Sequence, residues 1–276
     1  MRSPWPSSLQ DDAVGNKRDK NKTDWVEATL SEFDGVRYLH LDSIWVQGAM
    51  RVKKPDRLEL EYVQRMMAWM LWRDAADMTS GRAVQLGLGA GALSRFTRRQ
   101  LKMKTTAVEI NPTVISACRH WFHLPEDDDR FQVLNQDAGA WVADAAHWGT
   151  AAVLNVDLYD HEAAAPVLDD QQFYSDCRAV LADGGLMTVN LFGRSASFAR
   201  SAARIATAFG SDQVWHLTPT REGNTIVVAA RGVQVPDREE LERRAAFIEE
   251  RFDLPARKWL KLVRPLPMNI INQIRD

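Results

Sequence analysis

Three glycines and four carboxylates carry the chemistry open to this sequence. Gly87, Gly89 and Gly91 lie in the run LGLGAGAL, overlapping the end of the apolar segment Val84–Leu88. Glycines there let the chain turn tightly and let a ligand approach the backbone where a Cβ would intrude. Glu109 follows Gly89 by 20 positions. That is close to the spacing of about 20 at which the acidic residue of a nucleotide-binding βαβ unit meets the ribose hydroxyls. Asp137, just before Ala138, is placed to accept a hydrogen bond from an adenine amino group. Asp157 and Asp160, with Tyr159 between them, lie where the reacting end of a bound nucleoside points. A carboxylate in that position holds a cationic amine, or takes the proton of an attacking one as general base.

Alternating strands and helices must position these groups. The spacing predicts strands at Val84–Leu88, around Glu109, at Arg130–Asn135, Ala151–Asp157 and Leu186–Leu191, and two closing strands at Gln213–Leu217 and Thr225–Ala230. Helices are expected at Thr113–Phe122, Ala138–Ala146, Asp170–Leu181 and Ala196–Phe209. Alternation of this kind builds an α/β fold with a doubly wound, mostly parallel, seven-stranded sheet, its closing pair an antiparallel hairpin. Open parallel sheets bind ligands at the carboxyl ends of their strands, so Glu109, Asp137 and Asp157 share one rim, with Asn190 at the end of the next strand. Carboxylates crowded on one rim repel each other unless a ligand or hydrogen bonds compensate.

Four segments follow along the chain. Residues 1–24 are polar and aperiodic and read as a disordered leader. Residues 25–54 alternate apolar and polar side chains around Asp34-Gly35 and Asp42-Ser43, a small antiparallel β module that must pack on its neighbours. Residues 55–232 form the nucleoside-binding domain, opened by a helix over Pro55–Asp77 in which Leu58, Tyr62, Met66, Trp69 and Met70 recur at helical spacing. Residues 233–276, with a charged helix at Val235–Phe252, read as a C-terminal appendage.

Composition narrows the function classes. Lys and Arg total 35 against 37 Asp and Glu, a net charge of −2, so no global field draws the chain to nucleic acid or an anionic membrane. The basic stretch Arg95–Lys104 reads as a solvated helix face. His120 and His123 lack a third ligand, and no metal is expected. Cys118 and Cys177 have neither disulfide nor metal spacing, which points to a reducing compartment. No apolar run approaches the ~20 residues of a membrane span, and cytoplasm is the expected location.

From about Thr29 to Arg231 the chain resembles the spermidine synthase (polyamine aminopropyltransferase) family, whose sheet is that of the class I methyltransferases. The resemblance rests on LDSIWVQGAM, LELEYVQRMMAWML, LGLGAGAL, VEINPTVISACRHWF, Asp137-Ala138, VDLYD and QQFYSDCRAVLADGGLMTVNLF, in the family's order. It implies decarboxylated S-adenosylmethionine, or S-adenosylmethionine, as co-substrate, a small amine acceptor, and a homodimer. Gln47 would contact the ribose or adenosine edge. Gly87, Gly89 and Gly91 would line the donor's amino-alkyl end, Glu109 would hold the ribose, and Asp137 with Ala138 the adenine. Asp157 would deprotonate the amine with help from Tyr62, while Gln64, Tyr159 and Asp160 occupy acceptor positions. The chain departs from the pattern at three places. Ala90 stands where the glycine turn carries an aspartate facing the donor's amine. Gln64 replaces an acidic residue, and DLYD replaces Asp-Ser-Ser-Asp. Methyl transfer, or binding without catalysis, therefore stays open beside aminopropyl transfer.

Overall fold

The computed structural model describes residues 25–159, 167–192, 195–267 and 270. The expected leader and Asp160 lie outside the described residues.

The β module is present as expected: β1 (Ala28–Phe33), β2 (Val36–Leu41) and β3 (Gly48–Arg51) form an antiparallel sheet in that order. Asp34 and Gly35 both take positive φ between β1 and β2, the turn geometry that matches strand twist. The module is docked on the rest of the chain by close backbone contact. A Cβ on Gly48 would lie 2.4 Å from the Ala90 nitrogen, and one on Gly89 would lie 2.8 Å from the Gln47 carbonyl oxygen.

The segment 55–77 departs from the single helix expected of it. Helix α1 spans only Glu61–Arg65 and passes into a 3-10 helix over Met66–Trp72. All seven residues of that stretch are buried, so no polar face forces a 3.6-residue period. The hydroxyl of buried Thr188 lies 3.0 Å from the Met66 carbonyl oxygen, at the point where α-helical bonding gives way.

The main sheet contains β4 (Arg82–Leu86), β5 (Lys104–Glu109), β6 (Phe131–Asn135), β7 (Ala151–Val156), β8 (Leu181–Phe192), β9 (Val214–Leu217), β10 (Asn224–Ala230) and β11 (Val263–Pro265). Their order is β11-β9-β10-β8-β7-β4-β5-β6. Strands β4 to β8 are parallel; β10 runs antiparallel to β8 and β9. Helices α2 (Ala92–Arg99), α3 (Pro112–Trp121), α4 (Ala138–Ala143), α5 (Gln171–Val180) and α6 (Ser195–Phe209) make the connections. Asn111 caps α3, accepting from the Thr113 N–H at 2.9 Å, and Pro112 opens its first turn. Because β4 pairs with both β5 and β7, the chain leaves its carboxyl end toward opposite sides of the sheet. A crevice opens at such a switch point.

The C-terminal segment is built into the core, where an appendage was expected. From α7 (Arg238–Phe252) and α8 (Ala256–Leu262), Ala245, Ile248 and Trp259 join the cluster around Trp69 and Met70. Strand β11 then adds an eighth strand to the expected seven, pairing antiparallel with β9. The apolar 3-10 stretch needs cover on the side away from the sheet, and α7 supplies it.

Arg95 also departs from the solvated face expected of its helix. It is fully buried, donating to the Ala90 carbonyl at 2.5 Å and to the Pro55 carbonyl at 3.1 Å. Its guanidinium is thus a strut beneath the glycine turn. Both cysteines are unpaired and buried. No helix among the described residues is long and apolar enough to cross a membrane, and no group of three His, Cys, Asp or Glu among them could hold a metal ion.

Candidate active site

The glycine turn after β4 forms one wall of the crevice. Gly87 and Gly89 have φ of +80° and +50°. A Cβ on Gly87 would lie 2.1 Å from the Asp157 carbonyl oxygen, so only glycine lets β4 and β7 end side by side. The buried Cys118 thiol donates to the Gly89 carbonyl at 3.0 Å. Burial pushes this thiol up to about 12, which keeps it a protonated donor. Gly91, at φ +69°, starts α2 and packs toward Leu124. Ala90 is buried beneath Gly48.

These walls enclose a cavity of about 700 Å³, within the range of small-molecule sites. Of the residues the sequence singled out, Gln47, Tyr62, Gly87, Gly89, Glu109, Asp137, Ala138, Asp157 and Tyr159 line it. Gly91 and Gln64 do not. Gln64 instead donates its side-chain amide to the Leu58 carbonyl at 2.7 Å, securing the entry to α1. Asp160 lies outside the described residues.

Glu109 is held at the end of β5 by two backbone donors. Leu88 N–H donates to Oε2 at 2.9 Å and Asn111 N–H to Oε1 at 2.8 Å. Burial raises its carboxyl above the usual value, and these N–H groups oppose the rise. Each oxygen keeps a lone pair for a ligand hydroxyl. Asp137 caps α4, its Oδ1 accepting from the Ala140 N–H at 2.7 Å. The cap fixes the side chain on the cavity wall.

Asp157 follows β7 directly. Burial raises its carboxyl, while hydrogen bonds from Asn190 and Tyr62 oppose the rise. Asn190 Nδ2 donates to Asp157 Oδ1 at 2.9 Å. Asn224 Nδ2 donates in turn to Asn190 Oδ1 at 3.1 Å, so the amide presents its N–H to the carboxylate. Tyr62 is pushed well up by burial and by the charge of Asp157, and so stays a protonated donor to that carboxylate. Tyr159 spends its hydroxyl on β8, donating to the Asn190 carbonyl at 3.0 Å and accepting from the Phe192 N–H at 2.5 Å. Its ring, not its hydroxyl, is what the cavity gains.

Several further residues join the cavity without a motif to mark them. Asn190 stands out in the sequence as a strand end, but its bond to Asp157 needs the register of β8 against β7. Asn224, Glu59, Glu61 and Glu222 carry no local signal. The described lining holds six carboxylates — Glu59, Glu61, Glu109, Asp137, Asp157 and Glu222 — and no Lys, Arg or His. Glu59 pairs with Arg51 at 2.6 Å, and Glu61 with Arg65 at 2.8 Å and Lys258 at 3.0 Å. The others leave net negative charge for a cationic ligand to meet.

Removing the Tyr62 hydroxyl should leave a readable mark. Tyr62→Phe deletes a hydrogen bond that holds the Asp157 carboxyl down. The carboxyl then rises further, so that on lowering the pH Asp157 becomes protonated sooner than in the wild type. The acid limb of the kcat/KM profile is expected to move to higher pH, with catalysis falling about tenfold at neutral pH. An unmoved acid limb would detach Tyr62 from the titration of Asp157.

Comparison with known proteins agrees with this geometry. The spermine/spermidine synthase domain model matches residues 87–230. A polyamine aminopropyltransferase of Neisseria meningitidis serogroup A is 32% identical over 209 residues, covering 75% of this chain and 77% of that protein. One of Chromobacterium violaceum is 32% identical over 230 residues, covering 83% and 85%. Among solved structures, a probable spermidine synthase from Corynebacterium glutamicum superposes with a TM-score of 0.66 at 18% identity, covering 81% of this chain and 82% of that one. Sequence and fold together make this chain a member of the spermine/spermidine synthase family, a family of transferases.

Proposed function

We propose that this protein transfers an aminopropyl group from decarboxylated S-adenosylmethionine to a small amine, with Asp157 as the base. The lining of the cavity carries this reading: six carboxylates and, among the described residues, no cation. The decarboxylated donor carries a sulfonium and an ammonium and brings no carboxylate. The carboxylated donor would set its own carboxylate among these groups with no basic side chain to receive it, at a cost in repulsion and desolvation. The relatives named polyamine aminopropyltransferase support the same reaction.

Glu109 takes the ribose hydroxyls and Asp137 the adenine amino group, which directs the sulfonium toward Asp157. Asp157 takes one proton from the acceptor's ammonium, with Tyr62 and Asn190 holding the carboxylate in place while it does so. The neutral nitrogen attacks the methylene beside the sulfur. A C–N bond forms, the C–S bond breaks, and the bond's electron pair leaves with methylthioadenosine. The product nitrogen keeps its remaining protons as a secondary ammonium. Burial raises the basicity of Asp157, which suits a base near neutral pH.

Calorimetry with three ligands tests the reading. Decarboxylated S-adenosylmethionine and methylthioadenosine are expected to bind at least tenfold more tightly than S-adenosylmethionine, since one uncompensated charge at a partly buried site costs ~1–3 kcal/mol. The reverse preference would favour methyl transfer, and binding of none of the three would remove both enzymatic readings.

A further inference from the structure

A polar side chain sits two residues before each of three site residues. Gln85 precedes Gly87, Asn155 precedes Asp157, and Thr188 precedes Asn190. The three lie in register across the sheet. Gln85 of β4 pairs with Asn155 of β7, and Asn155 with Thr188 of β8. The same row ends on apolar residues, Ala107 of β5 and Val228 of β10. All three polar side chains are buried. The row is therefore polar on the three strands that lead to Gly87, Asp157 and Asn190, and apolar on the two that flank them.

Stability gives no reason for such a row. Strand alternation puts Gln85, Asn155 and Thr188 on the face of Ala83, Val153 and Leu186, which belong to the apolar cluster around Trp69 and Met70. A buried amide or hydroxyl in that layer gives up water for the hydrogen bonds it can find. Gln85 Oε1 finds none among the described residues. Aliphatic side chains of similar shape would avoid that cost.

The bonds of the row lead to the site. Gln85 Nε2 donates to the Gly87 carbonyl at 2.7 Å, steadying the first glycine of the turn. Thr188 Oγ1 lies 2.7 Å from Asn155 Oδ1 and 3.0 Å from the Met66 carbonyl oxygen. One hydroxyl proton serves these two oxygens, and the hydroxyl ties β7 and β8 to the end of α1. Met66 N–H in turn donates to the Tyr62 carbonyl. The backbone of Tyr62 is thus referenced to the strands that lead to Asp157 and Asn190, while its hydroxyl donates to the Asp157 carboxylate. Helix α1 has five residues and passes directly into a 3-10 helix. So short a helix has little rigidity of its own, and the tie at Thr188 supplies what it lacks.

We infer that Thr188, seated against Asn155, is a positioning residue that sets the Tyr62 hydroxyl on the Asp157 carboxylate. The inference rests on the aminopropyl-transfer reading, in which Asp157 is the base. Its test is steady-state kinetics of the full chain with decarboxylated S-adenosylmethionine and a short α,ω-diamine. Thr188→Val is expected to lower kcat about fivefold while the donor KM stays within about twofold, because the base is misplaced and the nucleoside carboxylates are not. Thr188→Ser, which keeps the hydroxyl, is expected to recover most of the loss. In a Tyr62→Phe background, Thr188→Val is expected to change kcat by less than about twofold, since two residues that act through one contact are not additive. Asn155→Leu with Thr188→Val removes both polar partners together. Its urea midpoint is expected to equal or exceed that of the wild type, with the loss in kcat retained. A kcat unmoved by Thr188→Val, a serine variant no better than the valine, losses that multiply with Tyr62→Phe, or a midpoint that falls in step with kcat each overturn the inference and leave the reaction standing. A wild type that releases no methylthioadenosine overturns the reaction and the inference with it.

Discussion

Asp157→Asn is expected to lower kcat by about 10²–10⁴-fold, the range that a positioned general base contributes. The substitution keeps the shape of the side chain and its place beside Asn190, whose Nδ2 donates to Oδ1 at 2.9 Å. An amide oxygen can still accept that bond, and the Tyr62 hydroxyl can still donate to it. The amide cannot take up a proton at neutral pH. Methylthioadenosine affinity is expected to stay within threefold, because Glu109 and Asp137 stand on other strands and keep their own backbone donors. Release of methylthioadenosine reads the chemistry and calorimetry reads the binding. Turnover within tenfold of wild type would remove Asp157 from its role.

Gly87→Ala is expected to be the most damaging single-atom addition in the crevice. The added methyl would lie 2.1 Å from the Asp157 carbonyl oxygen, on a residue with φ of +80°. That oxygen belongs to backbone and cannot swing aside. The neighbouring bonds, Gly87 N–H to the Val108 carbonyl and Asp157 N–H to the Leu86 carbonyl, each 2.9 Å, tie both chains into the sheet. Relief therefore pulls the end of β7 away from β4 and moves Asp157 with it. A stability loss of about 4 kcal/mol is expected, with turnover reduced at least 100-fold in whatever folds. Gly35→Ala is the control: its φ is +70° but a Cβ there meets nothing within 4 Å. It should cost only the ~1 kcal/mol of the left-handed conformation. Equal midpoints for the two variants in urea unfolding would show that the contact at Gly87 is not what constrains the turn.

The glycine turn, Glu109, Asp137 and Asp157 are legible in the amino-acid sequence. Each sits at a strand end marked by its own neighbourhood: an apolar run, then a glycine, a cap or an acidic residue. Strand ends of a parallel sheet share a rim, so naming them approximates one wall of the cavity. The β module is legible for a similar reason, since alternation and Asp34-Gly35 act over a few residues. The stretch Met66–Trp72 is not. Its side chains are buried all round, and a uniformly apolar run does not tell α from 3-10 or which neighbour covers it. The same lack of a marker conceals β11 and the packing of α7 against the core.

Residue order alone settles the succession of strands and helices, the glycines that let β4 turn beside β7, and the acidic strand ends. Those depend on backbone freedom and on periods a few residues long. Long-range packing settles the rest: Arg95 turns inward, Gln64 is spent on the Leu58 carbonyl, and Asn224 reaches Asp157 through Asn190. It also brings Glu222 to the wall of the same cavity. Those facts depend on which strands become neighbours, and strand neighbours are chosen by burial of the whole sheet and not by residues adjacent in the chain.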